Sequence, residues 1–68
     1  MTVRVLVNGQ AREVAAGSTV DQVVAAVTGQ DSGIAVAVNG EVVPRRGWPA
    51  TPVAEGDQIE IVTAVQGG

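Results

Sequence analysis

The sequence contains no cysteine, no histidine and no lysine, and its only aromatic residue is Trp48. Each absence removes a class of chemistry. Without cysteine there is no disulfide framework, no persulfide and no iron–sulfur cluster. Without cysteine or histidine a zinc site would have only carboxylates to draw on. Histidine is also the usual general base near neutral pH, and none is present. No lysine amine is available for modification. Apolar residues make up 46% of the chain but fall in short runs. None approaches the roughly 20 residues that a membrane helix needs. The start, Met1-Thr2-Val3-Arg4, runs into an alternating strand and does not read as a signal peptide. Four arginines against seven acidic residues give a formal net charge of −3. That disfavours nucleic acid, whose phosphate backbone needs a basic patch. The expectation is a soluble cytoplasmic protein with no metal and no bound cofactor.

At 68 residues the chain is one small domain. Such a domain buries only about 60% of the surface its unfolded chain exposes. A large catalytic cavity does not fit, so chemistry shared with a partner is the better expectation.

Val3, Val5 and Val7 alternate with Thr2, Arg4 and Leu6, the period of a strand. Leu6 puts apolar surface on the second face as well. Asn8-Gly9 supplies the two positive-φ residues of a type I′ hairpin, and residues 10–14 return, with Gln10 and Arg12 towards water. Residues 15–17 read as a loop. Thr19 and Gln22 fit a capping box, and Val20, Val23, Val24 and Val27 form one helical stripe. Valine is a weak helix former, so this helix depends on packing. Gly29 reads as its stop and residues 30–33 as a polar linker. Residues 34–38 form a second apolar strand, closed by Asn39-Gly40 onto residues 41–43. Pro44 confines that strand to a sheet edge. Residues 45–52 read as irregular, with a short helical turn around Trp48. After a turn at Glu55-Gly56-Asp57, Ile59 and Ile61 open a final strand reaching about Val65.

The order is ββαβββ. The first and last strands are richest in β-branched residues, which suits neighbouring central positions. The expected fold is an α+β roll: a mixed sheet with one main helix across one face, as in the ubiquitin-like β-grasp. Residues 1–65 form the domain and residues 66–68 a flexible tail.

That tail, Gln66-Gly67-Gly68, is the candidate site. Loose glycine-rich ends are common, so a terminal glycine pair alone says little. Here it follows a core strand, so it is anchored at a fixed root. Residues 65–68 reach roughly 13 Å from that root. Two glycines pass through a narrow channel without side-chain obstruction. A terminal carboxylate becomes a useful electrophile once ATP has converted it to an acyl-adenylate. A sulfur nucleophile could then displace AMP and leave a thiocarboxylate. With no thiol in the chain, carried sulfur would have to sit on that terminus.

Several blocks together resemble the thiamine-biosynthesis sulfur carrier family, ThiS. They are Val7-Asn8-Gly9, the run from Ala35 to Arg45, Trp48, and the run from Glu55 to Val62 leading to Gly67-Gly68. The resemblance covers essentially the whole chain. It implies a β-grasp fold and a C-terminal thiocarboxylate on Gly68, with Gly67 as spacer and Gln66 beside them in the partner's active site. It also implies partners: a ThiF-type, E1-like adenylating enzyme that uses ATP, a cysteine desulfurase as sulfur source, and a ThiG-type thiazole synthase as recipient. The chain itself would be a carrier and not an enzyme. Gln66 stands where many members of the family carry a third glycine.

Other residues carry two readings each. Trp48 is an interface anchor or, more in keeping with a chain so poor in aromatics, a lid on the core. Arg45 and Arg46 meet a partner's phosphate or acids, or are solvated loop charges. Glu55, Asp57 and Glu60 form an acidic corner that could steer a basic partner, though turn residues and a solvent-facing strand position account for them more simply. Val62 with Leu6 would form an exposed apolar patch if the helix covers the isoleucine side. Rival functions are a molybdopterin-synthase small subunit, a protein modifier conjugated to lysines elsewhere, and an adaptor whose tail is idle.

Overall fold

Two Asn-Gly turns organise the sheet. In the computed structural model, which describes residues 1–29 and 33–63, Asn8 and Gly9 have φ of 51° and 83°, and Asn39 and Gly40 have 52° and 83°. Positive φ at both central residues is the type I′ geometry, whose twist matches that of the flanking strands. The first turn joins β1 (Thr2–Val7) to β2 (Gln10–Ala15), and the second joins β3 (Ile34–Val38) to β4 (Glu41–Val43). The return strand β2 is one residue longer than its sequence pattern suggested, ending at Ala15.

The helix α1 (Val20–Val27) begins as its capping residues dictate. The Thr19 backbone N–H donates to Gln22 Oε1 at 3.0 Å, and the Thr19 hydroxyl donates to the Asp21 carboxylate. Val20, Val23 and Val24 are buried and Val27 packs against the same core. The end of the helix differs from the expectation placed on Gly29. Thr28 turns the chain away with extended angles (φ −141°, ψ 145°) while its N–H still donates to Val24 O. A β-branched residue favours such an extended exit. Gly29, directly after it, does not take a left-handed conformation. The linker expected over residues 30–33 falls largely outside the described residues.

After Pro44 the chain forms one six-residue 3-10 helix, Arg45–Ala50, more regular than the sequence suggested. Runs of this length are uncommon in 3-10 geometry. It is pinned from both sides: Trp48 Nε1 donates to Val43 O at 2.9 Å and the Thr51 hydroxyl donates to Gly47 O at 2.7 Å. The following segment ties back to the start of α1 through Val20 N–H to Thr51 O and Val53 N–H to Ser18 O, both 2.9 Å.

The last strand, β5 (Gln58–Thr63), is the centre of the molecule. The sheet order is β2-β1-β5-β3-β4. β5 runs parallel to β1, with Leu6 opposite Gln58 and Val7 opposite Ile59. It runs antiparallel to β3, with Ala35 opposite Val62 and Val36 opposite Ile61. β4, which Pro44 ends, lies at an edge. One face of this mixed sheet carries Val5, Val7, Val36 and Ile59 against Val20, Val23 and Val24 of α1, with Trp48 and Val53 closing the core. Val53 had no periodic signal in the sequence. The result is the expected two-layer α+β roll.

Candidate functional site

The site named from sequence is Gln66, Gly67 and Gly68, and these three lie outside the described residues. What the structure describes is the root from which they follow. Thr63 is the last described residue of β5, and the strand's expected continuation to Val65 lies outside the described residues; β5 is flanked by β1 and β3.

Side chains extend that hold beyond the backbone ladder. Asn8 Oδ1 accepts the Ile61 N–H at 2.9 Å, and Asn8 Nδ2 donates to Ile61 O at 3.1 Å. The amide of one side chain thus adds a rung between the first turn and the outgoing half of β5. Asn39 does the corresponding work at the incoming end. Its backbone N–H donates to Gln58 O at 2.7 Å, and its Oδ1 accepts the Gln58 N–H at 3.0 Å. Its Nδ2 also donates to Asp57 Oδ1 at 3.1 Å. Each turn asparagine therefore tolerates positive φ and braces β5 as well. Sequence reading found the turns but not the braces, because their partners lie 53 and 19 residues away.

The sheet face away from α1 is open. Leu6, Gln58, Glu60, Val62, Ala35, Ala37 and Val42 share this face by register. Leu6 and Val62 do lie on one face but are not neighbours. Leu6 stands beside Gln58, four positions along β5 from Val62 and roughly 13 Å away at strand rise. Glu60 lies between them. Val62, 58% exposed, instead adjoins Ala35, and Val42, 70% exposed, adjoins Ala37. The apolar patch nearest the root of the terminal residues is thus Val62, Ala35, Ala37 and Val42. Val42 could have been found from the hairpin register of a three-residue strand.

Two members of the acidic corner have local partners. Glu55 Oε1 accepts the Arg4 N–H at 2.9 Å, and Asp57 Oδ2 accepts the Ala54 N–H at 2.8 Å. Glu60 is exposed on the open face. Trp48 is 5% exposed and belongs to the core, with the Arg45 guanidinium 5.6 Å from its ring centroid. Arg45 and Arg46 are both exposed, and Arg45 lies beside α1 on the helix side of the sheet, away from Leu6 and Val62. Among the described residues no group of three or more acidic side chains is placed to hold a metal ion. No helix there is long and apolar enough to cross a membrane.

With this geometry in hand, the relatives are informative. The model of the family described as "ThiS family" matches residues 5–68. The chain belongs to the ThiS family. The sulfur carrier protein ThiS of Escherichia coli (strain K12) is 37% identical over 65 residues, covering 96% of this chain and 98% of that protein. The crystal structure of a thiamine biosynthesis protein (ThiS) from Geobacter metallireducens superposes with a TM-score of 0.80 at 30% identity, covering 97% of this chain and 100% of the other. An NMR solution structure of a thiamine biosynthesis protein from Geobacter metallireducens gives 0.77 at 32% identity, covering 97% and 88%. The roll described above is therefore the β-grasp of the ThiS family.

Proposed function

We propose that this chain is a sulfur carrier of thiamine biosynthesis, working through the carboxylate of Gly68. The observation that carries the reading is the course of β5. The central strand of the sheet precedes the last five residues, and the family match runs on to Gly68. Five residues beyond Thr63 span at most about 18 Å. That length lets a rigid body remain outside an enzyme while its terminus reaches the chemistry.

In the proposed sequence, a Gly68 carboxylate oxygen attacks the α-phosphorus of ATP on a ThiF-type enzyme. Pyrophosphate leaves and an acyl-adenylate remains. The terminal sulfur of a persulfide made by a cysteine desulfurase then adds to the acyl carbon and AMP leaves. A thiol of the partner attacks the other sulfur of the acyl disulfide so formed, closing a protein disulfide and releasing the thiocarboxylate. That sulfur passes to a ThiG-type thiazole synthase. The chain has no thiol, imidazole or side-chain amine to catalyse any step. Its part is to be recognised and to present the terminus, with Gly67 and Gln66 leading it in. The open sheet face with Val62 and Leu6 is the proposed docking surface, since exposed apolar patches commonly mark partner sites.

The direct test is the intact mass of the chain from cells expressing the whole pathway, where one oxygen should be replaced by one sulfur. Deleting Gly68, or adding one residue after it, should abolish adenylation and leave the melting curve unchanged. Normal turnover with a blocked terminus would defeat the proposal.

A further inference from the structure

A groove of about 340 Å³ runs between α1 and the 3-10 helix, on the opposite side of the sheet from the open face. Its apolar walls are Val24, Ala25, Trp48 and Pro49, and Arg45 and Asp21 supply its charges. Three features set it apart from an ordinary crevice. Its tryptophan is fixed, because Nε1 donates to Val43 O. Its arginine is partly ordered by lying over that ring at 5.6 Å. No carboxylate lies within ion-pair distance of Arg45 or Arg46 among the described residues, whereas Arg4 pairs with Glu13 at 3.6 Å. The Asp21 carboxylate already accepts the Thr19 hydroxyl.

We propose that this groove is a second docking site, for an acidic segment of a partner protein that inserts one aliphatic side chain flanked by carboxylates. The aliphatic group fills the Val24–Ala25–Pro49 cleft, and a carboxylate takes the Arg45 guanidinium, with Arg46 adding to the field. A guanidinium held against an aromatic face is suited to such a pairing, because less freedom is lost when the bond forms. Of the groove's two charges, Asp21 is engaged by the Thr19 hydroxyl and Arg45 has no carboxylate partner among the described residues, so the unmet charge is positive and selects an acidic occupant. The groove lies on the other side of the sheet, so a partner here leaves the open face with Leu6 and Val62 uncovered. A carrier could then be held by one protein while another works on its end.

The test uses the intact chain and a capped pentapeptide, Gly-Glu-Leu-Glu-Gly, with Gly-Gln-Leu-Gln-Gly and Gly-Lys-Leu-Lys-Gly as controls. Trp48 is the only aromatic residue and lines the groove, so its emission responds to an occupant there, and amide chemical shifts of Ala25 and Arg45 give a second, local readout. The glutamate peptide should bind saturably, and the glutamine peptide about tenfold or more weakly. The lysine peptide should not bind. Ala25→Glu, on the exposed helix face, and Arg45→Gln should each weaken the glutamate peptide about tenfold or more. Equal binding of the glutamate and glutamine peptides overturns the proposal, as does shift mapping to the open face or no binding at all. The wild-type peptide comparison decides the matter even if a variant fails to fold.

Discussion

Replacing Asn8 with glycine separates two jobs that one residue performs. Glycine takes the φ of 51° without strain, so the hairpin turn survives. The two hydrogen bonds to Ile61, at 2.9 and 3.1 Å, are lost. Each contributes about 0.5–1.5 kcal/mol net, so Asn8→Gly should cost about 1–3 kcal/mol. A chain of this size has a total stability of about 3–10 kcal/mol. Each kcal/mol lost should lower the melting temperature by about 4–8 °C. Asn8→Ala should cost a further 1–2 kcal/mol or so, because alanine must also occupy the left-handed region. Trp48 fluorescence in a denaturant titration gives the global figures. Hydrogen exchange at the Ile61 amide gives the local one, since its only acceptor in this brace is removed. The amide should exchange faster in Asn8→Gly by more than the global loss explains. If it exchanges as slowly as in wild type, the side-chain rung does not hold the outgoing half of β5. If the glycine and alanine variants are equally stable, the turn does not impose its φ.

Two further outcomes follow from burial. Val23 is 1% exposed on the packed stripe of α1, so Val23→Asp places an unpaired charge in the core and should unfold the domain; an unchanged circular-dichroism melt would mean that another face of the helix is packed. Val62→Glu, on the open face, should cost about 1 kcal/mol or less in stability yet slow adenylation by the partner enzyme about tenfold or more; activity equal to wild type would remove this face from the docking surface.

What the sequence made legible was local. Asn8-Gly9 and Asn39-Gly40 specify their turns whatever surrounds them, and the valines at 20, 23, 24 and 27 declare a helical stripe. Pro44 marked an edge because a missing N–H is visible in any context. The helix end was less legible. A glycine after a helix usually adopts a left-handed conformation, but Thr28 had already turned the chain into an extended path. A short helical turn around Trp48 was legible, but its full extent over Arg45–Ala50 was not, because contacts to Val43 and Thr51 fix it and it carries no periodic pattern of its own. The open face was half visible. Leu6 and Val62 alternate outward as their strands require, but their neighbours depend on register across the sheet. Only the register shows Val62 joining Ala35 and Val42 while Leu6 stands apart.

The sheet order has a consequence for how the molecule comes into being. β5 is last in sequence and central in space, so during synthesis the two hairpins must wait for it. Either hairpin alone is at best marginally stable in water and leaves an open edge. A chain cut short before residue 58 would therefore expose two sticky hairpins and be a natural target for degradation. The segment that completes the architecture also bears the terminal residues.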